Sequence, residues 1–186
     1  MNVVQLLAVG AVEPVLLQDL RTAIADALRV DCEIGALELD PKPSYHPERQ
    51  QYHSSEILQR MQALTRPPGY HMLGVTGVDL YIPILKYVFG EAQLGGPCAL
   101  VSFHRLRQEF YGLAADGALL TERLGKEAMH ELGHTLDLRH CQDYRCTMAS
   151  AHAVEYIDLR DNALCRSCGR LAASKISGRR GWLSRK

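Results

Sequence analysis

No stretch of the sequence approaches the ~18 consecutive apolar residues that a membrane-spanning helix needs. Neither sign of charge is in excess, with 21 Lys+Arg against 21 Asp+Glu. Bulk affinity for nucleic acid or a membrane surface is therefore not expected. The opening segment, MNVVQLLAVGAVEP, lacks the basic n-region of a signal peptide and has too short an apolar run. It reads as a first buried strand. No internal repeat and no low-complexity segment occur. The one local charge bias is the terminal GRRGWLSRK, which reads as a solvated tail.

What is present fits one globular domain. The chain has 186 residues, 47% of them hydrophobic and 23% charged, enough for a real core. A cytoplasmic monomer is the expectation. Disulfides are scarce in that compartment, so the six cysteines need another explanation. Cys32 and Cys98 lie in apolar runs and read as buried thiols. The other four, Cys141, Cys146, Cys165 and Cys168, crowd together near the C-terminus.

The first two-thirds alternates strand and helix signals, which favours an α/β or α+β sheet with covering helices. Strands are expected at 3–10, 31–40, 70–83 and 97–107, with a short one in LKYVFGEA. Leu16, Leu17, Leu20, Ile24 and Leu28 share one face of a helix over 13–30, with Pro14 in its first turn. Further helices are expected over 54–66 and 120–138, and residues 41–51 read as a polar, proline-rich surface loop. After residue 140 no strand pattern follows, only a broken helix from near Glu155 past Cys168. The division falls at about 138: an N-terminal part, 1–138, ending in the long helix, and a small cysteine-rich part, 139–186, of one compact domain.

The long helix carries the chemistry. His130 and His134 are four apart, so both imidazoles project from one helical face and can meet one ion. Neutral imidazole is a common zinc ligand. Glu131 is one step round and can lie beside the ion as a base without binding it. Catalytic zinc takes three protein ligands. His140, six residues beyond His134, can be the third only if the helix ends between them and the chain turns back. Gly133 inside the helix costs about 1 kcal/mol against alanine and leaves room beside the ion. Unrelated histidines on an amphipathic helix are the plain alternative, and the third histidine weighs against it.

Cys141-x4-Cys146 and Cys165-x2-Cys168 form two thiolate knuckles, a standard closed set for structural zinc. The C-terminal part is poor in apolar residues, and a metal supplies folding free energy directly. Redox chemistry at Cys165 and Cys168 is disfavoured, because no strand leads into the pair. Met148 alone is a core methionine; two residues after Cys146, it could instead sit on a turn beneath the metal.

Together these residues resemble the archaemetzincin family of the metzincin clan of zinc peptidases. The family pattern, His-Glu-x-x-His-x-x-Gly-x-x-His-Cys, then Cys-x-Met, then Cys-x-x-Cys, is met by His130, Glu131, His134, His140, Cys141, Cys146, Met148, Cys165 and Cys168. VTGVDLYIP, YVFGEA, RLRQEFYG and EYIDLR are also similar to the family. The resemblance implies a mixed, mostly parallel twisted sheet above an active-site helix. It implies two zinc ions: a catalytic one on His130, His134 and His140, and a structural one on Cys141, Cys146, Cys165 and Cys168. Glu131 would be the general base and Met148 the Met-turn.

Asp137 departs from the pattern, standing where the family has the glycine that lets the helix end left-handed. Asp tolerates that conformation at roughly 1 kcal/mol. Its carboxylate either orients His134 or His140 or faces solvent; the second is the expectation.

The expected function is a zinc metallopeptidase, endo- or aminopeptidase, working on peptides or proteins by Glu131-assisted attack of zinc-bound water. A strand over 98–105 would offer an edge for an antiparallel peptide, with His104 and Arg105 nearby. Tyr144 and His152 are weaker candidates. A zinc-binding interaction module with a vestigial site is the alternative.

Overall fold

The computed structural model describes residues 1–64 and 66–176, so the basic tail lies outside the described residues. The chain runs β1 (Val3–Val9), α1 (Pro14–Leu28), β2 (Asp31–Leu39), β3 (Tyr45–His46), β4 (Gln51–His53), α2 (Ser54–Gln62), β5 (Tyr70–Thr76), β6 (Leu80–Tyr81), β7 (Gly90–Ala92), β8 (Cys98–Ser102), α3 (Gly117–Thr135), α4 (Val154–Leu159) and α5 (Arg166–Lys175).

Five strands form a sheet in the order β2-β1-β5-β8-β7. The β1/β2, β1/β5 and β5/β8 pairs are parallel, and only β7 runs antiparallel, on β8. The mixed, mostly parallel sheet is thus as expected. Alternate side chains sort the strands between two cores. On one face Val4, Leu6, Leu73, Val75, Ala99 and Val101 pack with α1 and α3. On the other Leu7, Val9, Met72, Cys98 and Leu100 pack with Ile57, Leu58 and Met61 of α2. This period of two is what a sheet covered on both faces requires.

Three expectations are corrected. The loop at 41–51 holds β3 and runs into β4, and this hairpin joins β6 in a second small sheet. The strand expected over 97–107 ends at Ser102, whose hydroxyl donates to Val78 O and accepts from His104 N. His104 and Arg105 therefore lie on a 3-10 turn, Arg105 holding Asp79 through two bonds of 2.6 and 2.7 Å. Finally, β8 is no edge, because β5 and β7 flank it; the edge on that side is β7.

Asp116 caps α3 by accepting from Leu119 N. The helix is buried nearly all round from Arg123 to Gly133, so its charged residues need partners. Arg123 binds Asp158, and Glu127 binds Arg160 at 3.0 Å, both partners supplied by the C-terminal part. That part also contributes Met148, Val154, Ile157, Leu164 and Ala172 to the core beneath the sheet. No helix among the described residues is long and apolar enough to cross a membrane.

Candidate metal centre

The end of α3 explains how three histidines meet. Asp137 adopts φ 66°. Its N–H donates to His134 O at 2.9 Å, and Leu138 N–H donates to Gly133 O at 3.1 Å. These are the paired bonds of a Schellman ending, with Asp137 at the left-handed position. The turn reverses the chain so that His140 faces the helix. The Asp137 carboxylate turns away, half exposed, 3.5 Å from Lys175 of α5.

The ligand nitrogens of His130, His134 and His140 all lie within 4.8 Å of one another. The His130 Nδ1 lies 2.9 Å from Thr147 O, and the His134 Nδ1 lies 2.7 Å from Leu138 O. A carbonyl only accepts, so each Nδ1 carries the proton and each Nε2 presents a lone pair. Those two Nε2 atoms stand 3.1 Å apart. Two lone pairs facing at that distance repel unless a cation lies between them. Tetrahedral zinc with bonds of about 2.0–2.1 Å would set its nitrogens about 3.3 Å apart, so the residues fit the ion. Burial pushes His130 well below the usual histidine pKa, helped by the Arg160 charge, and burial also lowers His134 and His140. Each shift favours the neutral imidazole, the form a metal takes.

Met148 is fully buried. A Cβ on Gly133 would overlap its sulfur, so the glycine makes room for Met148 rather than for the ion. The preceding carbonyl, Thr147 O, is the one that orients His130.

Glu131 is buried beside the triad, under Gly90 of β7. A Cβ at Gly90 would come within 2.6 Å of Glu131 Cγ and 2.7 Å of its Oε1. Burial raises the Glu131 pKa well above the ordinary carboxylate value, the neighbouring Glu127 adds to this, and Arg160 opposes it. The raised value suits a group that accepts and returns a proton. Above the triad lies a cavity of about 780 Å³, walled by Tyr87–Ala92 on one side and Ser150–His152 on the other, with Glu127 and Arg160 also lining it. His152 reaches this cavity; Tyr144, two-thirds exposed, is not among its lining residues, nor are His104 and Arg105.

Cys141, Cys146, Cys165 and Cys168 form a second cluster, their sulfurs also within 4.8 Å of one another. The Cys141 and Cys165 sulfurs are 3.8 Å apart, the spacing that tetrahedral Zn–S bonds of about 2.3 Å produce. Burial pushes the Cys146 thiol up to about 11 and raises Cys168. Burial opposes ionisation of Cys165 as well, but hydrogen bonds from Ser167 and Cys168 bring it down to about 6. Four thiolates share this space only if a cation neutralises them. Cys141 N–H donates to Met148 O at 2.8 Å, so the two clusters share one short segment.

The spacings could not point to Gly90, Tyr87, Glu127 or Arg160. Their partners lie 30 or more residues away, beyond any local periodicity.

A histidine triad with a buried carboxylate beside it, opening on a cleft under a sheet edge, is a residue set that suits a metal-dependent hydrolase. Residues 15–173 match the sequence model of Peptidase family M54. The chain belongs to that family of zinc metallopeptidases, whose curated relatives are the archaemetzincins. The archaemetzincin of Methanocaldococcus jannaschii is 39% identical over 160 residues, covering 86% of this chain and 87% of the relative. That of Archaeoglobus fulgidus is 42% identical over 132 residues, 71% of this chain and 72% of its own. Among solved structures, a zinc-dependent peptidase from Methanocorpusculum labreanum superposes with a TM-score of 0.82 at 28% identity, covering 90% of this chain and 98% of that one. The Archaeoglobus fulgidus archaemetzincin gives 0.78 at 33%, covering 94% and 99%.

Proposed function

We propose that the chain cleaves peptide bonds at a zinc ion held by His130, His134 and His140, with Glu131 as general base, and that a second zinc on the four cysteines holds the C-terminal part in place. The observation carrying this is the pair of Nε2 lone pairs 3.1 Å apart, each fixed by a carbonyl behind its ring. A zinc ion there supplies a Lewis acid that polarises the scissile carbonyl and lowers a water's pKa to about 7.

The protein's own groups do the rest. Ser102 N donates to Phe89 O, and Gln93 N donates to Cys98 O. In an antiparallel pair the bonded side alternates, so the backbone of Gly90 and Ala92 faces the cleft. An extended peptide added there antiparallel places a carbonyl over the histidines. Glu131 takes the proton of the attacking water and passes it to the leaving nitrogen. The buried Thr147 and Leu138 carbonyls hold two imidazoles in the productive tautomer throughout.

A peptide-library digest with zinc-loaded wild type and Glu131→Gln tests the reading. Wild type should cleave, and the variant should lose at least about 100-fold in kcat/KM while retaining zinc. Equal rates would remove Glu131 from the mechanism. One tightly held zinc and no hydrolysis would favour an interaction module instead.

A further inference from the structure

The two walls of the cleft are tied together at one end. From Tyr87 OH a hydrogen bond of 2.7 Å crosses to His152 O, joining the two walls. The Arg105 guanidinium stacks 4.0 Å from the Tyr87 ring centroid and is itself held by Asp79, so the ring has a fixed backing. One residue further on, Val88 N donates to Leu80 O, and Leu80 pairs with Val88 as an antiparallel bridge. The free edge of β7 is thus covered from Val88 backwards. Only Gly90 to Ala92 remains for a guest strand.

The direction of the tied end follows from the helix beneath. Glu131 lies under Gly90, and His134 O accepts from Gly95 N. Going down α3 from Glu131 to Glu127 therefore leads toward Tyr87. There Arg160, 3% exposed, lines the cavity and binds Glu127 through Nη1, yet its buried Nε has no hydrogen-bond partner among the described residues. A buried guanidinium donor left unpaired is costly, and the Arg160 charge, lining the cavity, attracts an anionic oxygen seated there. Exposed Lys86 lines the same end.

A peptide antiparallel to β7 runs its C-terminal half toward Tyr87. Gly90 and Tyr87 are three residues apart, about 10 Å of extended chain. Resting on the peptidase reading above, we infer that the cleft accepts only about two residues beyond the scissile bond, and that the ligand seated at the Tyr87–Arg160 end is the free C-terminal carboxylate of a peptide. The enzyme is then a carboxyl-end exopeptidase. Water's oxygen adds to the carbonyl carbon, the C–N bond breaks, a proton goes to the departing nitrogen, and a one- or two-residue fragment leaves.

The test uses zinc-loaded full chain and N-acetylated peptides of one core sequence, with free or amidated C-termini, read by mass spectrometry. Release of one- or two-residue C-terminal fragments, with kcat/KM at least 10-fold lower for the amides, is expected. Tyr87→Phe keeps the stacked ring but removes the bridge, and should let longer C-terminal fragments appear. Internal cleavage of long peptides blocked at both ends, or cleavage that needs a free N-terminus, would overturn the inference and leave the peptidase reading standing. Absence of any cleavage would strike the peptidase reading first. The inference then faces binding of fluorescent N-acetyl peptides to zinc-loaded Glu131→Gln: at least 10-fold tighter binding of free acid over amide supports it, and equal binding ends it.

Discussion

Gly90 of the edge strand lies directly over Glu131 of the helix, and no side chain fits between them. The same hypothetical Cβ would stand 2.7 Å from Leu100 O, a backbone atom that cannot move aside. The strand thus fixes where the carboxylate sits. Gly90→Ala should displace Glu131 and overpack the site, at about 1–3 kcal/mol. Peptidase activity should fall at least 10-fold while zinc content at the histidines is unchanged, since their own carbonyl partners are on other segments. Undiminished kcat in a folded Gly90→Ala protein would show that the contact places nothing.

The histidine–cysteine segment was legible because its chemistry is local. Two helical positions, a turn and a knuckle all fall between His130 and Cys146, where spacing alone constrains geometry. The strands and helices of the sheet were legible from their periods of two and 3.6. The strand expected over 97–107 overruns because Phe103 and Leu106 continue the apolar pattern; they are buried at the start and end of a 3-10 turn, which apolar content does not distinguish from a strand. The edge went to the wrong strand for a related reason. Which strand lies outermost depends on an antiparallel return of three residues, Gly90–Ala92, too short to show a period. Arg160 meets Glu127 across 33 residues and Tyr87 meets His152 across 65. Only the folded chain brings such pairs together.

The two clusters differ in how they would hold metal. The histidine set has three ligands and opens onto the cavity, with His140 exposed. The cysteine set has four, two of them buried in the core. A colorimetric chelator should therefore take one zinc equivalent within minutes and leave far-ultraviolet circular dichroism unchanged. The second equivalent should leave only with a thiol-reactive reagent, accompanied by loss of helix signal from α4 and α5, since structural zinc contributes folding free energy. Simultaneous release of both would contradict this difference.

His71 of β5 should make the protein acid-sensitive. Its Nδ1 is 2.9 Å from Thr135 Oγ1, and that hydroxyl donates to Leu132 O, so the ring nitrogen carries the hydrogen. Burial, then the N-terminal ammonium and Arg66, lower its pKa to about 4. The folded state therefore binds fewer protons than the unfolded state. Stability is fully present above the unfolded pKa of about 6.5 and is lost as pH falls toward 4. After allowing for partial solvent screening, wild type should lose about 1 kcal/mol more than His71→Gln between pH 7.5 and pH 5. Urea titrations of both proteins check this, and protonation of the histidine triad cancels because both carry it. Parallel losses would remove His71 as the cause.

Asp137 bears on stability rather than on metal affinity. Its left-handed φ of 66° is a conformation that costs a side-chain-bearing residue roughly 1 kcal/mol. Its pairing with Lys175 is long and half exposed, and such pairs return little. The bonds that bring in His140 come from backbone N–H groups, which glycine keeps. Asp137→Gly should therefore stabilise the zinc-loaded protein by about 0.5–1 kcal/mol, seen as a higher melting temperature, with zinc affinity at the histidines unchanged. Asp137→Val should lower both, because a β-branched residue resists this φ and straining the turn moves Leu138 O away from His134. Weaker zinc binding in the glycine variant would show instead that the carboxylate tunes the metal.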